Sequence, residues 1–161
     1  MKNLSIPALA LALLSPFHCS ADEGEAPRAV DVFFVADGVS FGTRIDDIIL
    51  EKIGCTYTFG DTGTASKLLK LMEAARDVPQ DASDLKTKFE VRYKFLFHFQ
   101  SGASISIRFG QKYLNQSYLD GSWNSVPIHL RAELAEQVRA TIRNAGGAQT
   151  NQNASGSCAG P

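Results

Sequence analysis

"KFEVRYKFLFHFQ", residues 88–100, decides the fold. Phe89, Val91, Tyr93, Phe95, Phe97 and Phe99 fall on one alternation, and Glu90, Arg92, Lys94, His98 and Gln100 on the other, with Leu96 among them. Successive side chains of a strand point to opposite faces, so this period of two predicts a half-buried β-strand, aromatic side inward. A loop at Ser101-Gly102-Ala103 then returns the chain into "SISIRF", residues 104–109. Setting Phe99 opposite Ile105, Phe97 opposite Ile107 and Phe95 opposite Phe109 brings core to core at each pair, which favours that register.

Upstream, "VDVFFVADGVSFGTRI" (residues 30–45) has the form of a β-hairpin. Asp37-Gly38 is a two-residue turn signal, and closing there sets Phe34 opposite Phe41 and Asp31 opposite Arg44. "DDIILEKIG" (residues 46–54) follows as a short helix, started by Asp46 or Asp47, ended by Gly54, with Ile45, Ile48, Ile49 and Ile53 at helical spacing. "CTYTF" (residues 55–59) is a strand. "DTGTASKLLKLMEAARD" (residues 61–77) is a helix whose stripe is Ala65, Leu68, Leu69, Met72 and Ala75. Residues 77–87, "DVPQDASDLKT", form a polar loop holding Pro79.

Downstream, Asp120-Gly121 is a second two-residue turn signal and pairs Tyr118 with Trp123 across a hairpin that ends at Pro127. "LRAELAEQVRATIR" (residues 130–143) closes the domain as a helix with Leu130, Leu134, Val138 and Ile142 in line. The whole is expected to be one α+β domain over residues 30–144. An antiparallel β-meander carries an aromatic inner face packed by two or three helices, and its opposite face is partly open.

The ends of the chain place the protein in a cell. Lys2, the apolar run Ile6 to Leu14 and the small residues Ser20 and Ala21 make residues 1–21 a secretory signal, cleaved after Ala21. The run is too short to span a bilayer, which takes roughly 20 residues, and no later stretch is long enough either. The product is therefore expected to be exported, periplasmic or extracellular, with no transmembrane segment. Pro16, Phe17 and His18 precede Cys19 where a lipidation signal needs small residues, which disfavours a lipid anchor there. A mobile acidic leader, residues 22–29, comes first, and a low-complexity tail, residues 145–161, comes last. Removal of the signal leaves Cys55 and Cys158, an even pair in an oxidising compartment. They are either a disulfide that pins the tail or, for Cys55, a small buried hydrophobe.

The chain has 161 residues with 16 basic and 17 acidic side chains, and loss of Lys2 leaves 15 − 17 = −2. That balance gives no electrostatic case for nucleic acid as a partner. "TFGDTGTASK" (residues 58–67) runs strand, glycine loop, helix, yet lacks the phosphate-loop spacing, so Asp61 or Thr62 is a helix cap and Gly60 and Gly63 make the turn. His98 and His129, the latter near the start of the last helix, are the histidines that remain, with no metal-ligand spacing, and no cofactor motif occurs. No carboxylate is expected beside His98 and Ser106 to complete a catalytic set.

What remains is the polar side of the meander. Arg92, Lys94, His98 and Arg108, with Gln100, Ser104 and Ser106, form a basic surface, with Tyr118 and Trp123 at its margin. The function expected is a small exported binding protein, inhibitor or immunity type, gripping an acidic patch of a protein partner with this face. Reversing Arg92, Lys94 and Arg108 is then expected to abolish capture without lowering stability. The alternatives are a small periplasmic hydrolase using His98, or an envelope assembly component docking by a strand edge.

Overall fold

The computed structural model describes residues 24–35, 39, 41–77, 85–86, 88–113, 116–146 and 148–149. The long aromatic alternation becomes the middle of an eight-stranded antiparallel sheet in the order β3-β7-β6-β5-β4-β1-β2-β8. In chain order the elements are β1 (Ala29–Phe34), α1 (Asp47–Ile53), β2 (Cys55–Phe59), α2 (Thr62–Ala75), β3 (Arg76–Asp77) and β4 (Tyr93–His98). They continue with β5 (Ser104–Phe109), β6 (Tyr118–Trp123), β7 (Val126–Arg131), α3 (Leu134–Ala145) and β8 (Ala148–Gln149). The meander β4-β5-β6-β7 and the α+β class agree with the sequence expectation. No helix among the described residues is long and apolar enough to cross a membrane.

The inner face is the aromatic one. Tyr93, Phe95, Phe97 and Phe109 are fully buried together with Val30, Val32 and Phe34 of β1. Rings of neighbouring strands stack, Tyr93 on Phe109 at 4.7 Å and on Phe34 at 6.0 Å, so the layer is held by side-chain packing across strands. The Tyr93 hydroxyl accepts from Arg139 Nη1 at 2.9 Å, which satisfies its polar end inside the core. Two helices cover this face. α2 leaves β2 near one edge of the sheet and delivers β3 to the other, which draws it across the strands. Its stripe Ala65, Leu68, Leu69, Met72 and Ala75 is buried as the spacing requires, and the Asp61 carboxylate caps it by accepting from Thr64 N. α3 packs against α2 and buries Leu134, Val138 and Ile142.

The hairpin expected over residues 30–45 does not form. Asp37-Gly38 lies outside the described residues, but residues 41–46 are not a strand, and both edges of β1 are taken by β2 and β4. Phe34 stands opposite Cys55 and Tyr93 rather than Phe41. The physical reason is that β1 is apolar on both faces. Val30, Val32 and Phe34 enter the main core while Phe33 and Val35 enter a second one, as suits a central strand. That second core (Val35, Ile45, Leu50 and Val91, flanked by Phe33, Val39, Phe41, Ile49 and Phe89) lies on the opposite face under α1. α1 starts at the Asp46 cap and ends at Gly54 as expected, but buries Leu50 and leaves Ile48 64% exposed. A helix this short rests on the sheet by Leu50 and the half-buried Ile49, so the isoleucine spacing alone does not choose its buried side.

The register of β4 and β5 is shifted by two. Phe97 stands opposite Ile105, Phe95 opposite Ile107 and Tyr93 opposite Phe109. The loop is Gln100-Ser101-Gly102, closed by Phe99 N donating to Ala103 O, with Gly102 at φ 84°. A two-residue slip keeps every side chain on its face, so the hydrophobic pattern is blind to it; the left-handed position, filled by the glycine, decides.

Asp120-Gly121 is no turn. Both lie inside β6, and the chain reverses at Asn124-Ser125, whose φ values of 47° and 68° are those of a primed two-residue turn. Gly121 is required by close strand approach, since a Cβ there would stand 2.7 Å from Arg108 O. Pro127 is the second residue of β7 rather than the end of a strand, and Leu130 belongs to β7, so α3 starts later than the sequence pattern suggests. His129 is thereby in a strand, buried, instead of near a helix start. Most of the polar loop expected at residues 77–87 lies outside the described residues, as do residues 1–23, where a signal is expected, and residues 150–161.

Candidate functional site

The polar face of the sheet is not open at the β1-β4-β5 end, because α1 and the segments on either side of it lie over it. Lys94 donates to Glu51 at 2.5 Å and to Asp47 at 3.3 Å. Burial alone would lower the Lys94 ammonium, but its hydrogen bond to Glu51 and the charges of Asp47 and Glu51 outweigh that and raise it. Arg108 Nη1 contacts both carboxylate oxygens of Asp47 at 3.0 Å while its Nε donates to Ser122 Oγ at 2.9 Å. Asp47 and Glu51 are one helical turn apart, which puts two carboxylates on one face of α1 above the two cations. That i, i+4 acidic pair was the available signal, and the sequence reading took Asp47 only as a helix start.

Arg92 departs furthest from expectation. It is 3% exposed, with Nη2 2.6 Å from Glu90 Oε1, Nη1 donating to Val39 O at 2.7 Å and the guanidinium over the Phe41 ring at 5.6 Å. It is a clamp between the strand and the residues Val39 and Phe41 rather than an exposed binding charge. Tyr118 and Trp123 do not share a margin. Five positions apart on one strand, they alternate onto opposite faces: Tyr118 stacks on His129 at 3.9 Å, and Trp123 packs against the main core beneath Arg76.

His98 keeps its place on the polar face, opposite Ser104 rather than Ser106. It does have a carboxylate beside it. His98 Nε2 lies 2.8 Å from Asp31 Oδ2, and Thr58 Oγ1 donates to Asp31 Oδ1 at 2.7 Å. Sequence reasoning missed this because it assigned Asp31 to Arg44. Arg44 instead donates through Nε and Nη2 to Phe89 O. Farther along the sheet, Lys86 Nζ bonds Asp120 Oδ2 at 2.8 Å, and that hydrogen bond raises the lysine. His129 Nε2 stands 3.6 Å from Asp120 Oδ1, and neither buried atom has a hydrogen-bond partner among the described residues.

A cleft of about 490 Å³ opens beside the start of α1, lined by Arg44, Asp46, Asp47, Lys88, Phe89, Val91 and Arg108. Its carboxylates are already engaged, Asp46 by the Ile49 amide and Asp47 by Arg108 and Lys94. Arg44 and Lys88 are exposed, and Lys88 has no ion-pair partner among the described residues. The cleft thus offers two accessible cations, a fixed third at Arg108, and a wall of Phe89 and Val91. No family model, no curated protein and no solved structure matches the chain.

Proposed function

We propose that the chain is an exported binding protein of the inhibitor or immunity type, and that it holds an acidic segment of a partner protein at the cleft beside α1. The observation that carries this reading is the set Arg44, Lys88 and Arg108 against Phe89 and Val91, with Asp46 and Asp47 internally bonded. An acidic side chain entering there meets Arg44, held on Phe89 O, and Arg108, held on Asp47, so only the Lys88 side chain has to be ordered on binding. An apolar neighbour on the partner has the half-buried Phe89 of the cleft wall to contact. Lys94 and Arg92, bonded within the protein, support the cleft instead of gripping the partner.

The test is capture from envelope extract by immobilised protein. Lys88→Glu combined with Arg44→Glu is expected to lower capture of the specific partner at least about tenfold, as two charge-assisted contacts of about 1 kcal/mol or more each imply. Capture by the unaltered protein should weaken as salt rises. The melting temperature should move by only a few degrees, since Lys88 is exposed and unbonded to a carboxylate among the described residues, and Arg44 loses only its exposed bonds to Phe89 O, worth about 1 kcal/mol. Undiminished capture by this double variant sinks the cleft as the binding site.

One observation favours a second reading, a small periplasmic hydrolase: the 2.8 Å bond that orients His98 from Asp31, with Ser104 opposite on β5. Ester hydrolysis that disappears in His98→Ala and survives in Lys88→Glu would favour it. Docking by a strand edge has less support, because the outer strands of the sheet, β3 and β8, are only two residues long each.

A further inference from the structure

Arg44 is fixed at the residue that forms the wall of the cleft. Its Nε and Nη2 donate to Phe89 O at 3.1 and 2.8 Å, so cation and ring are presented together. Nη1 of Arg44 has no hydrogen-bond partner among the described residues. Nor has Nη2 of Arg108, whose Nε and Nη1 are held by Ser122 and Asp47. Three cations and two carboxylates line the cleft, a net of one positive charge. Setting internal pairs aside gives the same balance: Lys94 and Arg108 are matched by Asp47 and Glu51, which leaves Arg44, Lys88 and Asp46. One negative charge is neutralised there. A phosphate monoester carries about −1.5 to −2, and its excess, like that of a run of acidic side chains, would face Asp46 and Asp47.

The volume, about 490 Å³, lies in the lower half of the roughly 300–1,000 Å³ typical of ligand pockets. A chain end enters such a site once, whereas an internal segment has to leave it again. A terminal residue also carries its carboxylate and its side chain on one Cα, and the cleft likewise holds cation and ring at one residue. We propose that the acidic group this cleft takes from its partner is a C-terminal carboxylate, with an apolar last side chain lying on Phe89. The proposal rests on the reading of the cleft as the site for a partner protein. Arg44 Nη1, Arg108 Nη2 and the Lys88 ammonium donate to the carboxylate. An acidic side chain can reach the same cations, but a chain end also covers the apolar wall.

Fluorescence anisotropy with dye-labelled alanine peptides ending in phenylalanine tests it on the whole protein. The free acid should bind at least about tenfold more tightly than its C-terminal amide, and about threefold or more tightly than a peptide ending in glycine. Lys88→Glu should weaken the acid about fivefold or more and leave the amide unchanged. Excess inorganic phosphate at matched ionic strength should not displace the peptide. Free phenylalanine, which brings an ammonium among the cations, should compete at least about tenfold less well than unlabelled peptide. Treating envelope extract with a carboxypeptidase that removes apolar residues should abolish capture of the partner. Equal binding of acid and amide, no binding of either, displacement by phosphate, equal competition by free phenylalanine, or capture that survives the carboxypeptidase would overturn the chain-end proposal. The cleft reading outlives those failures if capture still falls in Lys88→Glu combined with Arg44→Glu. Undiminished capture by that variant removes the cleft reading and this proposal with it.

Discussion

Reversing Arg92, Lys94 and Arg108 to Glu together will leave the chain largely unfolded where the unaltered protein is native. Arg92 dominates. A glutamate there would face Glu90, 2.6 Å away in the present pair, inside a site only 3% exposed, and could not donate to Val39 O. Breaking one side of a buried pair costs about 3–5 kcal/mol before any repulsion is counted, against about 5–15 kcal/mol for a whole domain. The other two reversals add carboxylates beside Asp47 and Glu51, where Lys94 and Arg108 now bind. Circular dichroism and a urea melt read the outcome, and Arg92→Glu alone should produce most of the loss. Arg92→Met with Glu90→Gln should recover much of it, because both charges then leave the buried site together. A triple variant melting within a few degrees of the parent would show that Arg92 is not the clamp its contacts describe.

This outcome inverts the expectation from the alternation of β4, and the reason is instructive. Period two places Arg92, Lys94 and His98 on the face away from the aromatic core, and that part is right. It says nothing about what else covers that face. The cover is α1 with Val39 and residues 41–46, which meet β4 only because β1 pairs β2 and β4 instead of folding back on itself. Asp37-Gly38 and Asp120-Gly121 both carry a local turn signal. In the second case the ion pair to Lys86 needs the buried aspartate and strand approach needs the glycine, and neither demand shows in a window of a few residues. Where one element determines its own outcome, the reading holds: the α2 stripe, the Asp46 and Asp61 caps, the strand at Cys55–Phe59. The cleft was illegible because Arg44, Asp47, Lys88 and Arg108 come from distant segments that only tertiary pairing brings together.

Phe97→Ala is the other large effect. The ring is fully buried in β4, with Val30 of β1 opposite on one side, Ile105 of β5 on the other and Phe95 at 6.2 Å along the strand. Strands on both sides are hydrogen-bonded to their neighbours and cannot close the space, so the removed ring leaves a cavity as well as lost burial. The expected loss is about 3–5 kcal/mol. Its neighbour His98 is the internal control. Its side chain is one-third exposed, and its bond to Asp31 sits in solvent-accessible surroundings, so His98→Ala should cost about 1 kcal/mol or less. Phe97→Leu should fall between them, since it keeps apolar volume in the same slot. Urea midpoints of the three variants, measured at unchanged m, give the ranking directly. Comparable losses for Phe97→Ala and His98→Ala would mean that the two faces of β4 are not divided as the sheet register has them.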